Sequence, residues 1–347
     1  MRPEPPESTL RLTIDRDALA ANWRALDSMS GAAAAGAAVK ADAYGLGVAA
    51  TVPTLWQAGC RDFFVAHWSE AAPVAARAPP ASVAVLHGPL SPRDAHYARD
   101  LGVRPVINSL TQARHWIEAG GGPCDLMVDT GINRLGLPLA ALGDPLIAQL
   151  QIEVLHSHLA SADEDSPLNA VQLARWQAAR GQIGHRRASL ANSAGITLGP
   201  AYHGDLTRPG IALYGGVPCP GLAGRIAQVA RPEAALIQVR DLAPGDSVGY
   251  NATFTASRAM RAGVVSLGYA DGYLRCWSGK GTMSANGQVL PVLGRVSMDM
   301  TVIDLSAAPD LVEGDWVAAD YDLPAAARTT GLSQYELLTG LGRRFPR

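Results

Sequence analysis

Between residues 36 and 215 eight short apolar runs alternate with longer amphipathic stretches, and this alternation constrains the fold of the 347-residue chain more than any other feature. The runs are 36–40 (GAAVK), 62–66 (DFFVA), 83–87 (VAVLH), 104–107 (RPVI), 125–129 (DLMVD), 152–158 (IEVLHSH), 188–192 (ASLAN) and 210–214 (GIALY). Stretches such as 47–58 and 167–183 are long enough for crossover helices. Strands that are apolar throughout are covered on both faces, as in a parallel sheet with helices outside it. Eight such units predict an α/β fold, a closed (β/α)8 TIM-like barrel. An open doubly wound sheet is the alternative, because strand order is not written in the sequence.

After about residue 232 the pattern changes to β-like stretches at 235–241, 261–268, 282–293, 296–305 and 313–319. Turn sequences (APGD, SANGQ, AAPD, VEGD) separate them, and a short helix is expected near 332–340. The chain therefore divides into 1–232, a barrel, and 233–347, a mostly β domain. LRLTID at 10–15 is a strand ahead of the first barrel helix, which begins near Arg16. It has no place among the eight and is available to pair with the C-terminal sheet.

Basic and acidic residues nearly balance (29 against 31), which leaves no electrostatic footprint for nucleic acid or an anionic membrane. No apolar run reaches the roughly 18 residues of a membrane helix. The opening MRPEPPESTL is unlike a signal peptide, and Cys60, Cys124, Cys219 and Cys276 lack metal-like spacing. A cytoplasmic protein with reduced thiols is expected. Of the 29 cations only Lys40 and Lys280 are lysines, so a retained lysine deserves a chemical reading, although Lys280 reads as an ordinary loop residue.

In a βα barrel the reactive groups stand at the C-terminal ends of the strands. Those ends carry Lys40 with Tyr44, His67, His87, Asn108, Arg134, His158, Asn192 with Ser193, and Arg208 with Gly210. Loop polarity alone accounts for His67, His87 and Asn108. Lys40 closes an apolar run, where partial desolvation lowers an amine's pKa and suits it to a Schiff base; a loop lysine fits equally. GLGVAA at 45–50 matches the dinucleotide fingerprint, with Glu70 at the distance of a ribose contact. The competing view is that Gly45 and Gly47 turn the backbone behind a functional lysine. His156 and His158 share a strand face, but no third metal ligand is evident, and the expectation is no metal. Arg134 offers a bidentate fork to a carboxylate or pairs with Asp129. Ser193 and the backbone at Gly210 suit a phosphate. Tyr269, in SLGYADG, is either a titrating group beside a cation or a core aromatic.

VKADAYGLG at 39–47 resembles the pyridoxal-phosphate lysine segment of alanine racemases. DTGINRLG (129–136), HSHLASADE (156–164), ANSAG (191–195), LTRPGIALYGG (206–216), GYADGYLR (268–275) and GRVSMDM (294–300) resemble further segments of that family, in family order. The resemblance covers about residues 10–345. It implies pyridoxal 5′-phosphate as cofactor, alanine as substrate, and a cytoplasmic head-to-tail homodimer with shared active sites. D-alanine would serve peptidoglycan synthesis, or the enzyme would serve alanine catabolism. By motif, Lys40 would hold the cofactor and act as one catalytic base. Tyr44, Ser193, Gly210 and Ile211 would hold the cofactor's phosphate, Asn192 would also bind the cofactor, and Arg208 would face the pyridine nitrogen with His158 beside it. Tyr269 of the partner subunit would be the second base, and Arg134 with the Met298 backbone would bind the substrate carboxylate. Three positions depart from common family patterns: Met127 stands where many members carry a modified lysine, Ser297 where some carry cysteine, and the tail GLGRRFPR has no tyrosine. Alternatives are a racemase of broader choice, such as serine, a decarboxylase on the same barrel, a non-catalytic pyridoxal-phosphate carrier, and a nicotinamide enzyme.

Overall fold

The computed structural model describes residues 6–342 and 344–346; residues 1–5 of the Pro- and Glu-rich start, and Arg343 and Arg347 of the tail, lie outside the described residues. The chain forms two compact units, Arg16–Ala227 and a second made of Gln228 onward with the residues up to Asp15.

In the first unit the strands Ala37–Ala38, Phe63–Val65, Val83–Val85, Arg104–Ile107, Pro123–Asp129, Gln151–His156 and Arg187–Ser189 lie side by side, all parallel. Helices such as Val48–Ala58 and Pro167–Arg180 alternate with them. The runs are buried throughout, as at Phe63–Val65 and Val83–Val85, because each strand is covered on both sides. The eighth strand is Leu206–Thr207, parallel to Ala34–Ala35. The segment around it closes the ring. Asp205 and Arg208 donate from backbone N–H to Ala188 O and Ala191 O on one side, and Thr207 O and Pro209 O accept from Gly36 and Ala38 on the other. A Cβ on Gly36 would stand 2.9 Å from Asp62 O, so only glycine lets the first strand pass between its two neighbours.

The expected eighth strand at 210–214 is corrected by this register: Ile211–Tyr214 is a buried 3-10 turn. A short, fully buried apolar run reads alike in either form, and Pro209, lacking an N–H, ends the ladder one step earlier.

In the second unit Ala230–Leu242, Met260–Val265, Thr301–Asp304, Gln288–Leu293, Thr282–Ala285 and Trp316–Ala319 pair in that order, and Trp316–Ala319 pairs back with Ala230–Leu242. The sheet is an antiparallel barrel. Leu10–Ile14 adds to Ala230–Leu242 as an antiparallel strand. The domain boundary expected at 232/233 falls inside this 13-residue strand, so the units divide before it, and the chain start belongs with the β unit. Leu323–Thr330 and Gln334–Thr339 are helices; the first has no counterpart in the sequence reading.

Candidate active site

Directly after Lys40 the backbone makes one left-handed turn: Ala41, Asp42, Ala43 and Tyr44 have φ of 53, 52, 54 and 56°. Such a turn costs L-residues about 1–2 kcal/mol each, so something must hold it. Glu70 does so from the helix Trp68–Ala75. Its carboxylate accepts from the N–H of Ala41 (2.6 Å), Ala66 (2.7 Å) and His67 (3.0 Å), tying the turn to the neighbouring strand end. On the far side Asp42 O accepts from Gly47 N (2.8 Å), and the Asp42 carboxylate accepts from Val48 N (2.8 Å) at the start of Val48–Ala58. This overturns the dinucleotide reading of GLGVAA. The helix N-terminus that would take a pyrophosphate is filled by Asp42, and Glu70 is spent on backbone N–H groups. Gly45 and Gly47, both at φ 89°, are the tight turn behind the lysine.

Lys40 and its surroundings form one electrostatic site. The amine is held below its usual pKa, first by burial and then by the Arg134 and Arg208 guanidiniums, with Glu70 opposing them. His158 is pushed down to about 3 by burial, then by Arg208, Arg134 and Lys40, so its imidazole is neutral. The fold thus brings Lys40, Arg134, His158 and Arg208 together from four different strand ends.

A second group of predicted residues meets nearby in the chain. Ser193 Oγ accepts from Gly210 N (2.9 Å) and Ala212 N (3.3 Å). A Cβ added to Gly210 would overlap the Tyr44 hydroxyl, so that hydroxyl lies against the glycine backbone, where Ile211 opens its turn. Tyr44 is set in place by Tyr214, stacked at 4.8 Å, whose own hydroxyl donates to Ala38 O (2.8 Å). Asn192 is one step from this cradle, but its Oδ1 accepts from Gly195 N (2.9 Å) and serves the turn.

Arg208 is buried and held below its usual pKa by that burial, to about 10, which leaves it charged at neutral pH. Its Nη1 donates to Ser189 Oγ and faces His156 Nδ1; its Nη2 donates to Ser157 O (2.6 Å) and Leu190 O (3.4 Å). His156, weighed earlier as a metal partner of His158, has both ring nitrogens engaged otherwise: Nδ1 by Arg208, and Nε2 by Asp125 Oδ2 at 3.1 Å. Arg134 does not pair with Asp129. That carboxylate instead accepts from Gly131, Ile132 and Asn133 N–H (2.8–3.2 Å) and shapes the loop, with Asn133 left-handed at φ 53°. Arg134 itself is exposed, with no ion pair among the described residues, and Met127 is buried in the adjoining strand.

Three strand-end residues stay structural. His67 and His87 meet edge to face (centroids 4.2 Å apart), and Asn108 Nδ2 donates to Leu86 O (3.0 Å) and Val106 O (2.8 Å). In the second unit Tyr269 and Met298 share one loop junction, through Tyr269 N to Ser297 O (3.0 Å) and Ala270 N to Met298 O (3.0 Å). The Arg275 guanidinium lies 5.3 Å over the Tyr269 ring. Arg344 ties the same junction by bonding Asp271 (2.7 Å) and Asp299 (2.8 Å). Sequence reasoning missed Glu70 as a turn clamp, Tyr214 as a backstop and Asp125 behind His156. Each acts through a partner distant in the chain.

Residues 14–218 match the alanine racemase N-terminal domain family, and 229–347 the alanine racemase C-terminal domain family. The chain is 41% identical to a biosynthetic alanine racemase of Agrobacterium fabrum, over 98% of this chain and 94% of that protein. It is 42% identical to an alanine racemase of Methylobacterium nodulans, over 97% and 95%. Among solved structures it superposes on an alanine racemase of Bartonella henselae with covalently bound pyridoxal phosphate (TM-score 0.89, 35% identity, 99% of each chain). The biosynthetic alanine racemase of Pseudomonas aeruginosa is similar too (TM-score 0.87, 35% identity, 98% and 99%).

Proposed function

The chain belongs to the alanine racemase family, and from that premise we propose how its own residues interconvert L-alanine and D-alanine. It is a pyridoxal-phosphate-dependent racemase. The residues present fit that cofactor at three points. Lys40 offers an amine of lowered pKa to its aldehyde. Tyr44, Ser193, Gly210 and Ile211 offer its phosphate a hydroxyl cradle with no room for a Cβ. Arg208 offers its ring nitrogen a charged, buried guanidinium. When bound, the cofactor supplies an electron sink for the pair left at Cα as the proton departs.

Racemisation needs a proton taken from one face of Cα and one returned to the other. Lys40 serves one face. Its lowered pKa keeps more of the amine uncharged at neutral pH, able to accept the Cα proton. Tyr269 of the partner subunit serves the opposite face, and a homodimer with shared sites follows from that assignment. Arg134, with the Met298 backbone of the partner subunit, binds the substrate carboxylate. With no ion pair among the described residues, Arg134 keeps its fork available for that anion. His158, neutral, packs at the cofactor without adding charge. Asn192 supports the phosphate side by fixing the turn after Ser193. The protein works in the cytoplasm, and no helix among the described residues is long and apolar enough to cross a membrane.

The observation that carries this reading is the convergence of Lys40, Arg134, His158 and Arg208 on one site with a depressed lysine. Proton NMR of the protein with pyridoxal phosphate and L-alanine in D₂O, followed by chiral analysis, tests it. Loss of the α-proton signal with D-alanine accumulating is expected. With Tyr269 on the face of the L-enantiomer and Lys40 on that of the D-enantiomer, exchange without D-alanine would remove Lys40 from its role, and no exchange from L-alanine would remove Tyr269.

A further inference from the structure

Behind Arg208 the barrel interior holds a line of buried polar groups that the chemistry above does not use. Arg208 Nη1 faces His156 Nδ1 at 3.3 Å, and His156 Nε2 faces Asp125 Oδ2 at 3.1 Å. Asp125 Oδ1 accepts from Arg104 Nε at 3.0 Å, and Arg104 Nη2 reaches Asp62 Oδ1 at 3.3 Å. Both Nη groups of Arg187 hold Asp62 at 2.8 Å, and Arg187 also reaches Glu153 at 3.5 Å. From Arg208 to Asp62 every member is buried. Arg104, Asp62 and Arg187 lie at the starts of their strands and Arg208 just past the end of its own, so the line spans the barrel from the site to its opposite mouth.

Counting hydrogens gives the line a direction. Ser189 Oγ and His156 Nδ1 take the two on Arg208 Nη1; Ser157 O and Leu190 O take the two on Nη2. Among the described residues only Nε–H is left over. His156 can accept at Nδ1 only if its proton sits on Nε2, and that proton needs the Asp125 carboxylate as acceptor. Asp125 has its other oxygen occupied by Arg104.

Building on the role of Arg208 given above, we propose that His156, Asp125 and Arg104 are positioning residues. They lock His156 in its Nε2–H tautomer, so that Arg208 is gripped by both Nη groups and presents Nε–H alone to the ring nitrogen. The electrostatics agree. Burial pushes His156 down to about 4, with Arg208 and Arg104 adding to it and Asp125 opposing, so the ring stays neutral at pH 7. Phe64, edge-on at 5.7 Å, is the apolar neighbour. Asp125, which burial alone would raise, is held low by Arg104 and His156. A neutral, singly oriented imidazole returns no proton to Arg208. The arrangement therefore keeps the guanidinium a donor and leaves the ring nitrogen without a proton of its own.

Asp125→Asn tests the lock, because an amide has one acceptor oxygen where the carboxylate has two. Arg104, always charged, claims that oxygen; the amide N–H then faces His156 Nε2 and drives the proton to Nδ1, against Arg208. In the cofactor-free protein, ¹H–¹⁵N spectra of the imidazoles, assigned by comparison with His156→Gln, should show Nε2–H from about pH 5 to 9 in the parent chain. The variant should show Nδ1–H. With cofactor bound, a ring nitrogen that gains a proton is a stronger electron sink, so in the variant the cofactor should more often keep alanine's amino group and electron pair and release the carbon skeleton as pyruvate; kcat should fall about 10- to 100-fold, the usual loss when a supporting hydrogen-bond partner is removed. The parent spectrum stands alone even if Asp125→Asn does not fold. His156 found as Nδ1–H or imidazolium at neutral pH in an active racemase would overturn the lock and leave the racemase reading intact. Nε2–H in a protein that does not racemise would do the reverse. An unchanged tautomer in a folded Asp125→Asn would also overturn it.

Discussion

Replacing Gly210 by alanine tests whether the Tyr44 hydroxyl belongs to the phosphate cradle. The added methyl carbon would overlap Tyr44 Oη and stand 3.0 Å from its Cζ, where ordinary contact begins at 3.4 Å. Ala38 Cβ, at 3.4 Å, closes the other side. The hydroxyl must retreat by roughly 1 Å, more than a hydrogen bond tolerates. Tyr214, stacked at 4.8 Å, resists any simple swing of the ring. A hydrogen bond to a charged group is worth about 1.5–3 kcal/mol, so the Kd for pyridoxal phosphate should rise about 10- to 150-fold. Tyr44→Phe removes the same bond without the clash and should weaken binding by a similar factor. Because both changes act on one hydroxyl, the double variant should bind little worse than either single one. Titrating cofactor-free protein with pyridoxal phosphate by fluorescence, with thermal melts to verify folding, measures all four corners. A Gly210→Ala Kd within twofold of the parent would refute the cradle, and full additivity would refute the shared hydroxyl.

Other outcomes follow from the same geometry. Tyr269→Phe should leave D-alanine exchanging its α-proton with D₂O while exchange from L-alanine drops by about 10²–10⁴, the range for losing a positioned acid–base group; equal losses for both enantiomers would count against two separate bases. Refolding Lys40→Ala and Tyr269→Phe chains together should restore part of the activity absent from each, and no recovery would argue against sites shared between subunits. Acid should destabilise the fold through the buried histidines. His156 and His158 are held at about 4 and about 3, whereas unfolded histidine titrates near 6.5. Between those values the unfolded chain binds more protons, so the stabilisation present above about pH 6.5 is lost as pH falls toward 4. Urea midpoints followed by circular dichroism should decline over that window, less steeply in His158→Gln, and an identical slope would refute the assignment.

Much of the barrel was legible because periodicity reports burial. Seven of the eight expected strands overlap the observed ones, since a strand covered on both faces has to be apolar. The eighth was misplaced onto 210–214, where the same apolar character serves a buried turn. Lys40 and Arg134 were legible as strand-end cations, but sequence could not say whether Arg134 pairs with Asp129; the loop's own N–H groups decided that. His156 was weighed as a metal ligand, with no metal expected, because alternation reveals a shared face and not what stands opposite. Asp125, from the adjacent strand, is what it meets.

The order of residues along the chain settles which stretches can be buried, where glycine must turn the backbone, and which chemical groups stand at strand ends, because each of these depends on near neighbours and on water. What it leaves open is every relation that needs two distant segments at once. The left-handed turn after Lys40 exists because Glu70, 29 residues away, accepts its first N–H. The lowered pKa of that lysine comes from burial and from arginines 94 and 168 positions downstream, at 134 and 208. Hydrogen bonds and Coulomb forces act over a few ångströms of space, whatever the separation in sequence. The barrel, by closing its strand ends into one ring, turns a set of separate polar residues into a site.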